Sequence, residues 1–548
     1  MPSRATLLFP LLVLGCAAPS PRFPLEEPLQ VDADTTPWQA PCTTKDGTTT
    51  CIPATYDSPF AWDGFDAMIF RPVERFLAVD PAGESVDVNA LDEVPDSSWF
   101  SNRLGRRSMS PDDVARGACD DTLDPDEPDG TWTIDEGKAN GANPGFRIKT
   151  EHGIYLLKAD EKEQPERATG ATAIAARIYH AVGYWTDCDR VVYVPRSLLK
   201  LKPGLTYKDN GGVSRPFGET ELAHVLDDAS RRGDRYRLVA SRWLDGKTIG
   251  PFRYTSIRKD DPNDVVVHED RRELRGQRVL AAWLGHFDSR EQNSMNTWIS
   301  ATPTAPGYIR HWLIDFNDCF GSEWSWEDVS KRLNHAYYFD GGQVAADFLS
   351  LGAVPRAWDG NHRSSKGFVF GFYASEPFVP DDWKPGYQNP AFLRASERDE
   401  AWMARILARL GPEHIEKLVA VGDFTNPQHR DYLTRVLVER QRKILQRYLA
   451  IASPVADLSV EDDSICATDL SRRVLSGQRY RATVNGNPVA VVNHEERVCL
   501  PLPRIGQGPD DDRSRYLVVA LENGASKRPL TAHLYATSHG FRLVGIER

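Results

Sequence analysis

The sequence predicts an α+β protein of several domains that ends in a small all-β domain. The chain has 548 residues, 41% hydrophobic and 26% charged, a composition typical of a globular protein of about three or four domains. Strand and helix patterns alternate from residue 145 to 454, and only strand patterns follow from 455. The net charge of −12 argues against a protein that binds nucleic acid without sequence preference.

The first residues have the features of a bacterial lipoprotein signal peptide. Arg4 precedes an apolar run over 5–15, which is shorter than the ~20 residues that span a bilayer. The sequence VLGC at 13–16 resembles a lipobox, in which Cys16 becomes the lipidated first residue; an ordinary signal peptide cut nearby is the alternative. Because Ala17 rather than Asp follows the cysteine, we expect a cell-envelope protein anchored through Cys16, in the outer membrane, on its periplasmic or surface face.

The elements follow from periodicity and from turn residues. Strands are predicted at 146–149, 154–158, 190–195, 236–244, 297–299 and 311–314, and helices at about 165–182, 267–287 and 398–450. Residues 108–137 are acidic and loop-like. In the last part of the chain, Asn485-Gly486 predicts a hairpin turn.

The cysteines fit an oxidising compartment, where disulfides form. Cys42 and Cys51 flank a polar stretch with a turn-forming Asp-Gly and are the first candidate pair, and Cys466 and Cys499 are the second. Without Cys16 seven cysteines remain, so at least one thiol stays free or pairs between chains. No cysteine or histidine spacing predicts a structural zinc site.

The residues that suggest chemistry lie between 286 and 321. Asp288 and Asn293 are five positions apart in one loop, and Asp315 directly follows an apolar strand. Phosphoryl transfer needs a carboxylate that orients the attacking hydroxyl and oxygen ligands that hold a divalent cation. Each residue alone is a weak signal, because an Asp after a strand is often a turn former. Their order along the chain is what favours a phosphate-handling site.

This order resembles the protein-kinase-like superfamily. His286-Phe287-Asp288 with Asn293 is similar to the catalytic loop H-x-D-x-x-x-x-N, and Asp315-Phe316-Asn317 is similar to D-F-G. Lys158 resembles the lysine that pairs the nucleotide phosphates, with the helix after it as the C helix. The resemblance covers about 135–450, and the spacing from Asn293 to Asp315 is similar to the atypical branch of phosphatidylinositol kinases and HipA-type kinases.

The resemblance implies a two-lobed protein-kinase-like fold, and the strand patterns from 455 add a small C-terminal all-β domain. With the lipobox and the Pro-, Thr- and Asp-rich composition after it, the predicted organisation is a lipoprotein signal peptide at 1–16, a flexible tether at 17–65, a kinase-like N-lobe at 66–240, a helical C-lobe at 241–454 and a β domain at 455–548. The resemblance also implies ATP or another nucleotide and Mg²⁺ as cofactors, and an unidentified hydroxyl acceptor. Lys158 would bind the nucleotide, Asp288 would be catalytic, and Asn293 and Asp315 would hold the metal.

The sequence also departs from the kinase pattern. The helix after Lys158 has no central glutamate, Asn317 replaces the glycine of D-F-G, and the stretch 137–146 lacks the spacing G-x-G-x-x-G. Three hypotheses therefore stand: an active phosphotransferase, a catalytically idle kinase-like lipoprotein that binds a ligand or an envelope partner, and a structural envelope protein. Arg271, Arg272 and Arg275 could receive an acidic substrate, but a salt-linked helix start is favoured.

Overall fold

The chain has a mixed α and β fold, as the sequence predicts. The computed structural model describes residues 23–25, 34–57, 60–77, 83–119, 123–128, 130–138, 144–208, 213–324, 326–474, 479–504 and 515–548. The predicted signal peptide and Cys16 lie outside these residues. Among the helices that the structure describes, none combines the length and the apolar character that crossing a bilayer requires.

The elements of the first part of the chain alternate between strands and helices. The strands are β1 Cys42–Lys45, β2 Thr48–Cys51, β3 Trp132–Lys138, β4 Gly145–Thr150, β5 Gly153–Lys158, β6 Asp189–Pro195, β7 Leu199–Leu201, β8 Thr206–Lys208, β9 Ser214–Pro216, β10 Arg231–Arg232, β11 Arg235–Arg242 and β12 Lys247–Thr248. The helices are α1 Phe60–Phe65, α2 Arg71–Leu77, α3 Pro111–Arg116, α4 Arg167–Val182 and α5 Glu219–Asp227, with a π-helical turn Asp66–Phe70 joining α1 to α2.

The second part is first mostly helical and then entirely β. The strands are β13 Ser294–Ser300, β14 Gly307–Leu313, β15 Val455–Glu461, β16 Ser464–Asp469, β17 Arg481–Val484, β18 Asn487–Val489, β19 Val492–His494, β20 Arg497–Pro501, β21 Tyr516–Glu522, β22 Leu530–Thr537 and β23 Gly540–Glu547. The helices are α6 Arg272–Leu284, α7 Glu327–Arg332, α8 Gly341–Ser350, α9 Pro390–Leu393, α10 Glu397–Leu407, α11 Pro412–Val421 and α12 Pro427–Tyr448.

A seven-stranded sheet carries the first half of the candidate site. Its order is β10-β11-β5-β4-β3-β7, with β6 also paired to β11, and only the β3–β7 pair is parallel. Helix α4 packs on this sheet and begins at Arg167, two residues after Pro165, because Glu166 adopts a left-handed φ of 67°. On α4, Gly170 allows the helix to lie close to Phe424, because a Cβ at this position would be 2.7 Å from the Phe424 ring.

A three-stranded sheet, β12-β13-β14, carries the second half. In the antiparallel pair β13–β14, Ser294 lies opposite Leu313, so the start of β13 and the end of β14 are adjacent. Helix α6 leads into β13 and is almost entirely buried. Trp283, Trp298 and Trp312 are buried in the core here.

The residues from 455 onward form two antiparallel sheets, ordered β15-β16-β20-β19 and β18-β17-β21-β22-β23. Asn485 and Gly486 both have positive φ, 48° and 78°, in the two-residue turn between β17 and β18. Cys466 lies opposite Cys499 in the β16–β20 pair, and the two are bonded. The turn and the disulfide both occur where the sequence places them.

Residues 34–57 are packed against the rest of the protein, which corrects the flexible tether predicted for 17–65. Asp34 accepts hydrogen bonds from the backbone N–H of Ser98 at 2.9 and 3.0 Å. Trp38 pairs with Gly307 as an isolated antiparallel bridge, and Ala40 belongs to a small apolar core. The Pro-rich composition suggested a tether, but one buried carboxylate and a few apolar side chains are enough to fix this segment.

The stretch 108–137, predicted to be loop-like, also contains regular structure. Helix α3 has a capping box in which Ser110 and Asp113 exchange side-chain and backbone hydrogen bonds. Strand β3 begins at Trp132, which is fully buried. The acidic composition between α3 and β3 led to the prediction of a loop, although the capping box and the start of the strand are local sequence features.

The structure contains three disulfides among the described cysteines. Besides Cys466–Cys499, it contains the predicted bond Cys42–Cys51 across the β1–β2 hairpin. The third bond, Cys119–Cys188, was not predicted from the sequence. Among the described cysteines, Cys319 is free and buried. Cys119 and Cys188 are 69 residues apart, so their pairing depends on how α3 packs on α4 rather than on local sequence.

A buried carboxylate ties the C-terminal sheets to the helices. Asp92 contacts four guanidinium groups, those of Arg272 (2.8 Å), Arg398 (3.0 Å), Arg405 (3.4 Å) and Arg548 (2.7 Å). These cations hold the pKa of Asp92 far below its usual range despite its burial. Arg271 and Arg275 are also buried and salt-linked, so the arginines at the start of α6 are structural, as the favoured alternative predicted.

Candidate active site

Lys158 and Asp315 meet at the centre of the candidate site. Lys158 is the last residue of β5, and Asp315 lies two residues beyond the end of β14. The Lys158 Nζ donates to Asp315 Oδ1 at 2.8 Å. The lysine side chain is 8% exposed, whereas the Asp315 side chain keeps 28% of its surface exposed. The carboxylate is therefore held from the protein side and can be reached from solvent.

The backbone at Asp315 is fixed by its neighbours. Asp315 has a left-handed φ of 61°, which is uncommon for a residue other than glycine and is therefore held by its surroundings. Phe316 is fully buried and stacks on Tyr179 of α4 with ring centroids 4.8 Å apart. The stacking anchors the segment just after Asp315, so the carboxylate has a defined direction.

The loop from Asp288 to Asn293 lies directly beside Asp315. Helix α6 ends at Gly285, whose φ of 67° turns the chain, and the loop then enters β13. The Ile314 N–H donates to the Asn293 carbonyl at 3.1 Å, which places Asn293 one residue from Asp315 across the β13–β14 pair. The structure thus brings together all four residues that the resemblance selected.

Asp288 is held on both sides of its carboxylate. The Asn293 amide Nδ2 donates to Asp288 Oδ2 at 3.0 Å, and Arg290 Nε lies 2.8 Å from Asp288 Oδ1. The backbone N–H of Asp288 donates to Asp318 Oδ2 at 2.9 Å. We call Lys158, Asp288, Asn293, Asp315 and Asp318 the site cluster.

The carboxylates of the site cluster differ in acidity. Burial raises the pKa of Asp288 to about 6, and the nearby charge of Asp318 adds to this effect. Burial also raises the pKa of Asp318 to about 7. For Asp315, burial is outweighed by the ammonium groups of Lys158 and Lys138, which hold its pKa at about 2. The site therefore contains one firmly ionised carboxylate and two that change protonation near neutral pH.

His286 packs against the loop that carries Asp288. It is buried, its Nδ1 lies 2.8 Å from the Tyr179 hydroxyl, and its Nε2 lies 3.4 Å from Asp318 Oδ1. Burial lowers its pKa to about 4, so the ring is neutral at neutral pH. The Ser289 hydroxyl donates to the His286 carbonyl at 2.7 Å. His286 thus links α4 to the loop rather than facing solvent.

Three charged residues that the sequence analysis did not select belong to this site. Arg290 pairs with Asp288, Asp318 contacts the loop backbone, and Lys138 lies in register with Gly145, which in turn lies opposite Lys158. Burial and the charge of Lys158 lower the pKa of Lys138 to about 8. Arg290 lies two residues after Asp288, and Asp318 lies three residues after Asp315. This proximity in sequence is the signal that could have identified them as site residues.

The acid missing from α4 has a counterpart on β6. The middle of α4 is made of Ala, Thr and Gly, but Asp187 and Asp189 lie near Lys158 and help Asp315 to raise its pKa against the effect of burial. Burial raises the pKa of both carboxyls, and Asp189 Oδ1 also accepts a hydrogen bond from the Ser241 hydroxyl. The acidic groups near Lys158 thus lie at the start of β6 and just before it rather than on the helix.

The remaining segments whose sequences resemble kinase motifs are only partly described. Of the stretch 137–146, residues 139–143 lie outside the described residues, and its two ends belong to β3 and β4. A Cβ on Gly145 would lie 2.1 Å from the Leu157 carbonyl oxygen, so this glycine is required for strand packing. The Asn317 carbonyl accepts from Arg167 at 2.5 Å, which ties the residue in the D-F-G glycine position to the start of α4.

The site cluster contains two of the oxygen ligand types that Mg²⁺ prefers. Mg²⁺ prefers carboxylate and amide oxygens, and Asp315 and Asn293 supply one of each. Within the described residues Asp318 Oδ1 is buried without a hydrogen bond. No group of three His, Cys, Asp or Glu side chains that could hold a metal occurs among the residues described. A cation at Asn293 and Asp315 would therefore need oxygen ligands from a bound phosphate as well.

Comparisons with known proteins add little. No family model matches the chain, and no curated protein matches it. A search of solved structures finds the crystal structure of a proinflammatory kinase, CtkA, from Helicobacter pylori. The two chains are 12% identical, with a TM-score of 0.31, over 61% of this chain and 100% of that one. At this identity and TM-score the likeness does not establish the function of this chain. The function is inferred from the geometry of the site cluster.

Proposed function

We propose that the chain is a kinase-like envelope lipoprotein that transfers a phosphoryl group from ATP, or another phosphate donor, to a hydroxyl acceptor. The observation that carries the proposal is the convergence of the site cluster. Its lysine comes from β5 and its carboxylates come from the α6–β13 loop and the end of β14. An ionised carboxylate beside a lysine, next to a carboxyl with a pKa near 6, suits phosphoryl transfer to a hydroxyl.

Each residue has a role in this proposal. Lys158 would hold phosphate oxygens, and Asn293 and Asp315 would hold Mg²⁺, which neutralises charge on the transferred group. Asp288 would orient the acceptor hydroxyl and take its proton. The sheet that carries Lys158 and the helices after α6 would form the two lobes, and lipidation at Cys16 would keep the protein in the outer membrane.

A catalytically idle form is the second candidate, and one observation favours it. Both oxygens of Asp288 are engaged by Arg290 and Asn293, and Asp315 is engaged by Lys158. A site whose polar groups satisfy one another can persist as a binding scaffold without chemistry. The two candidates differ in phosphoryl transfer but not in ligand binding.

Thermal melting with Mg-ATP tests the proposal, because a ligand that binds the native state raises the melting temperature. We expect a rise for the wild type, none for Lys158→Met, and an unchanged rise for Lys149→Met, a lysine of β4 outside the site cluster. No rise with any nucleoside triphosphate and Mg²⁺ or Mn²⁺ would refute nucleotide binding.

Phosphoryl transfer separates the two candidates. With radiolabelled ATP, the active form should release phosphate to water or to a small alcohol, and Asp288→Asn should lower this rate at least about a hundredfold. The melting shift of Asp288→Asn should persist. A wild type that binds Mg-ATP and has no transferase or hydrolase activity above Asp288→Asn would establish the idle form.

A further inference from the structure

Two groups of exposed apolar side chains stand out on the described surface. The first, the helical patch, lies along α1, the π-helical turn and α2. It comprises Trp62, Phe65, Ile69, Phe70, Val73 and Leu77, each between 41% and 73% exposed. The rings of Trp62, Phe65 and Phe70 have centroids 5.2 to 6.5 Å apart. Three large aromatic rings are thus clustered in solvent.

The second group, the α8 patch, is still more exposed. It comprises Val344, Phe348, Leu349, Leu351 and Val354, and the exposures of Phe348, Leu349 and Leu351 are 78%, 81% and 93%. Helix α8 has ten residues, none of them buried. A helix this short is marginal in water unless an apolar face packs against something. Among the described residues, none covers the apolar side chains of α8.

The helical patch borders the candidate active site through Tyr387, and the segment that leads into α8 contacts the same ring. A Cβ on Gly64, in α1, would lie 3.5 Å from the Tyr387 hydroxyl, so the helical patch begins beside this ring. Tyr338, three residues before α8, packs on Tyr387 with centroids 4.8 Å apart. The Arg290 guanidinium lies 5.0 Å from the same ring and also pairs with Asp288.

An ion pair also fastens the helical patch to the catalytic loop. Arg71 Nη1 lies 3.0 Å from Glu291 Oε1. Helix α2, which carries part of the helical patch, is therefore joined directly to the loop that holds Asp288.

We propose that these two patches dock the protein on a lipid bilayer, so that the candidate active site faces the membrane surface. Clusters of Trp, Phe and Leu on short helices are typical of segments that bury an apolar face at the lipid interface. Exposed apolar surface of this extent marks a binding face. Two separate patches suit a bilayer, because side chains can insert into lipid without a binding surface of complementary shape.

The position of the chain's first residues supports this choice of partner. Phe23 follows Cys16 by seven residues and its N–H donates to the Tyr516 hydroxyl at 3.2 Å. Seven residues reach at most about 25 Å. A lipid on Cys16 would therefore keep the body beside the bilayer and would add to the affinity that the two patches provide by themselves. Docking would also place the hydroxyl acceptor of the proposed function at a lipid surface. Only this statement about the acceptor rests on the proposed function.

Vesicle flotation tests the docking surface without the lipid anchor. The chain from residue 17 onward keeps every described residue and would be mixed with phosphatidylcholine vesicles. We expect the wild type to float with the vesicles. Phe348→Ser with Leu349→Ser and Leu351→Ser, or Trp62→Ser with Phe70→Ser, should lower the bound fraction at least about tenfold. The control Val265→Ser with Val492→Ser changes residues that are 74% and 61% exposed outside both patches and should bind as the wild type does.

The outcomes separate the inference from the proposed function. A wild type that does not float, or patch variants that float equally, would overturn lipid docking. A vesicle-independent dimer in light scattering that the patch variants abolish would overturn it in favour of self-association. The Mg-ATP melting shift, measured on the same variants, should not change. A missing shift with intact flotation would refute only the phosphotransferase.

Discussion

Asp318 accepts the backbone N–H of Asp288 through its Oδ2 at 2.9 Å, so one carboxylate positions the loop that carries another. Asp318 is buried and Asp288 is partly buried, and the pKa of each is raised, to about 6 for Asp288 and about 7 for Asp318. The proton carried by Asp318 near neutral pH thus affects both the stability of the loop and the basicity of Asp288. This coupling gives the first two predictions.

Asp318→Asn should stabilise the protein more at pH 8 than at pH 5. A carboxyl whose pKa is about 7 in the native state and about 3.9 when unfolded favours folding below pH ~4, and this contribution is lost as the pH rises through about 7. Asparagine keeps an oxygen acceptor for the Asp288 N–H and carries no charge. The gain at pH 8 should reach up to about 4 kcal/mol in urea unfolding. An equal effect at both pH values would contradict the raised pKa.

The same substitution should move the pH dependence of activity, if the chain is the proposed phosphotransferase. With Asp288 as base, kcat/KM should fall below about pH 6, because the carboxylate is then protonated. Asp318, with a pKa of about 7, is mostly protonated at pH 6 and carries only part of its charge there, so its removal should lower the pKa of Asp288 slightly and move the acid limb of the Asp318→Asn variant slightly to lower pH. An unshifted limb in steady-state assays from pH 5 to 8 would show that Asp318 does not tune Asp288.

The Lys158–Asp315 pair should show a large interaction energy. We expect a double-mutant cycle of Lys158→Met and Asp315→Asn, measured by urea unfolding at pH 7, to give a coupling of about 1–3 kcal/mol. The pair is largely buried, at 8% and 28% exposure of its side chains, and its bond is 2.8 Å long. The exposed Lys331–Glu327 pair of α7 is the control and should show no measurable coupling. A coupling near zero would mean that the pair does not organise the site.

Asp92 should be among the most costly charges to remove. Asp92→Ala leaves four arginines without their shared partner, three of them nearly fully buried, and should lower the free energy of unfolding by at least about 3 kcal/mol. Because the pKa of Asp92 is depressed, its contribution is present above pH ~4 and is lost as the pH falls further. Asp381→Ala, at an exposed ion pair with Arg447, is the control. Equal effects of the two substitutions would contradict the structural role of Asp92.

The disulfide that the sequence analysis missed should be the more important of the two N-terminal bonds. Cys119 and Cys188 enclose 69 residues, and removing both with alanine should cost about 4 kcal/mol, because a long loop gains much entropy when released. Cys42 and Cys51 enclose nine and should cost about 2 to 3 kcal/mol. Chemical unfolding of the two double variants makes the comparison. A larger loss for the Cys42–Cys51 variant would contradict this order.

The sequence determined the elements of this protein where the local signal was strong. The helix after Lys158, the strand before Asp315 and the hairpin at Asn485-Gly486 all follow from periodicity and turn residues within a few positions. These are local properties, because helix spacing and turn preference depend on neighbouring residues. The order of Lys158, Asp288, Asn293 and Asp315 along the chain was therefore enough to select four residues that the fold brings together.

Only the tertiary structure decided which distant groups these residues meet. Lys158 and Asp315 are 157 positions apart, and their pairing depends on how the seven-stranded sheet lies against β13 and β14. The contributions of Asp187, Asp189 and Lys138, the four arginines around Asp92 and the packing of residues 34–57 likewise depend on contacts between elements. Charge and burial act through space, so a pattern along the chain cannot reveal which side chains will share an environment.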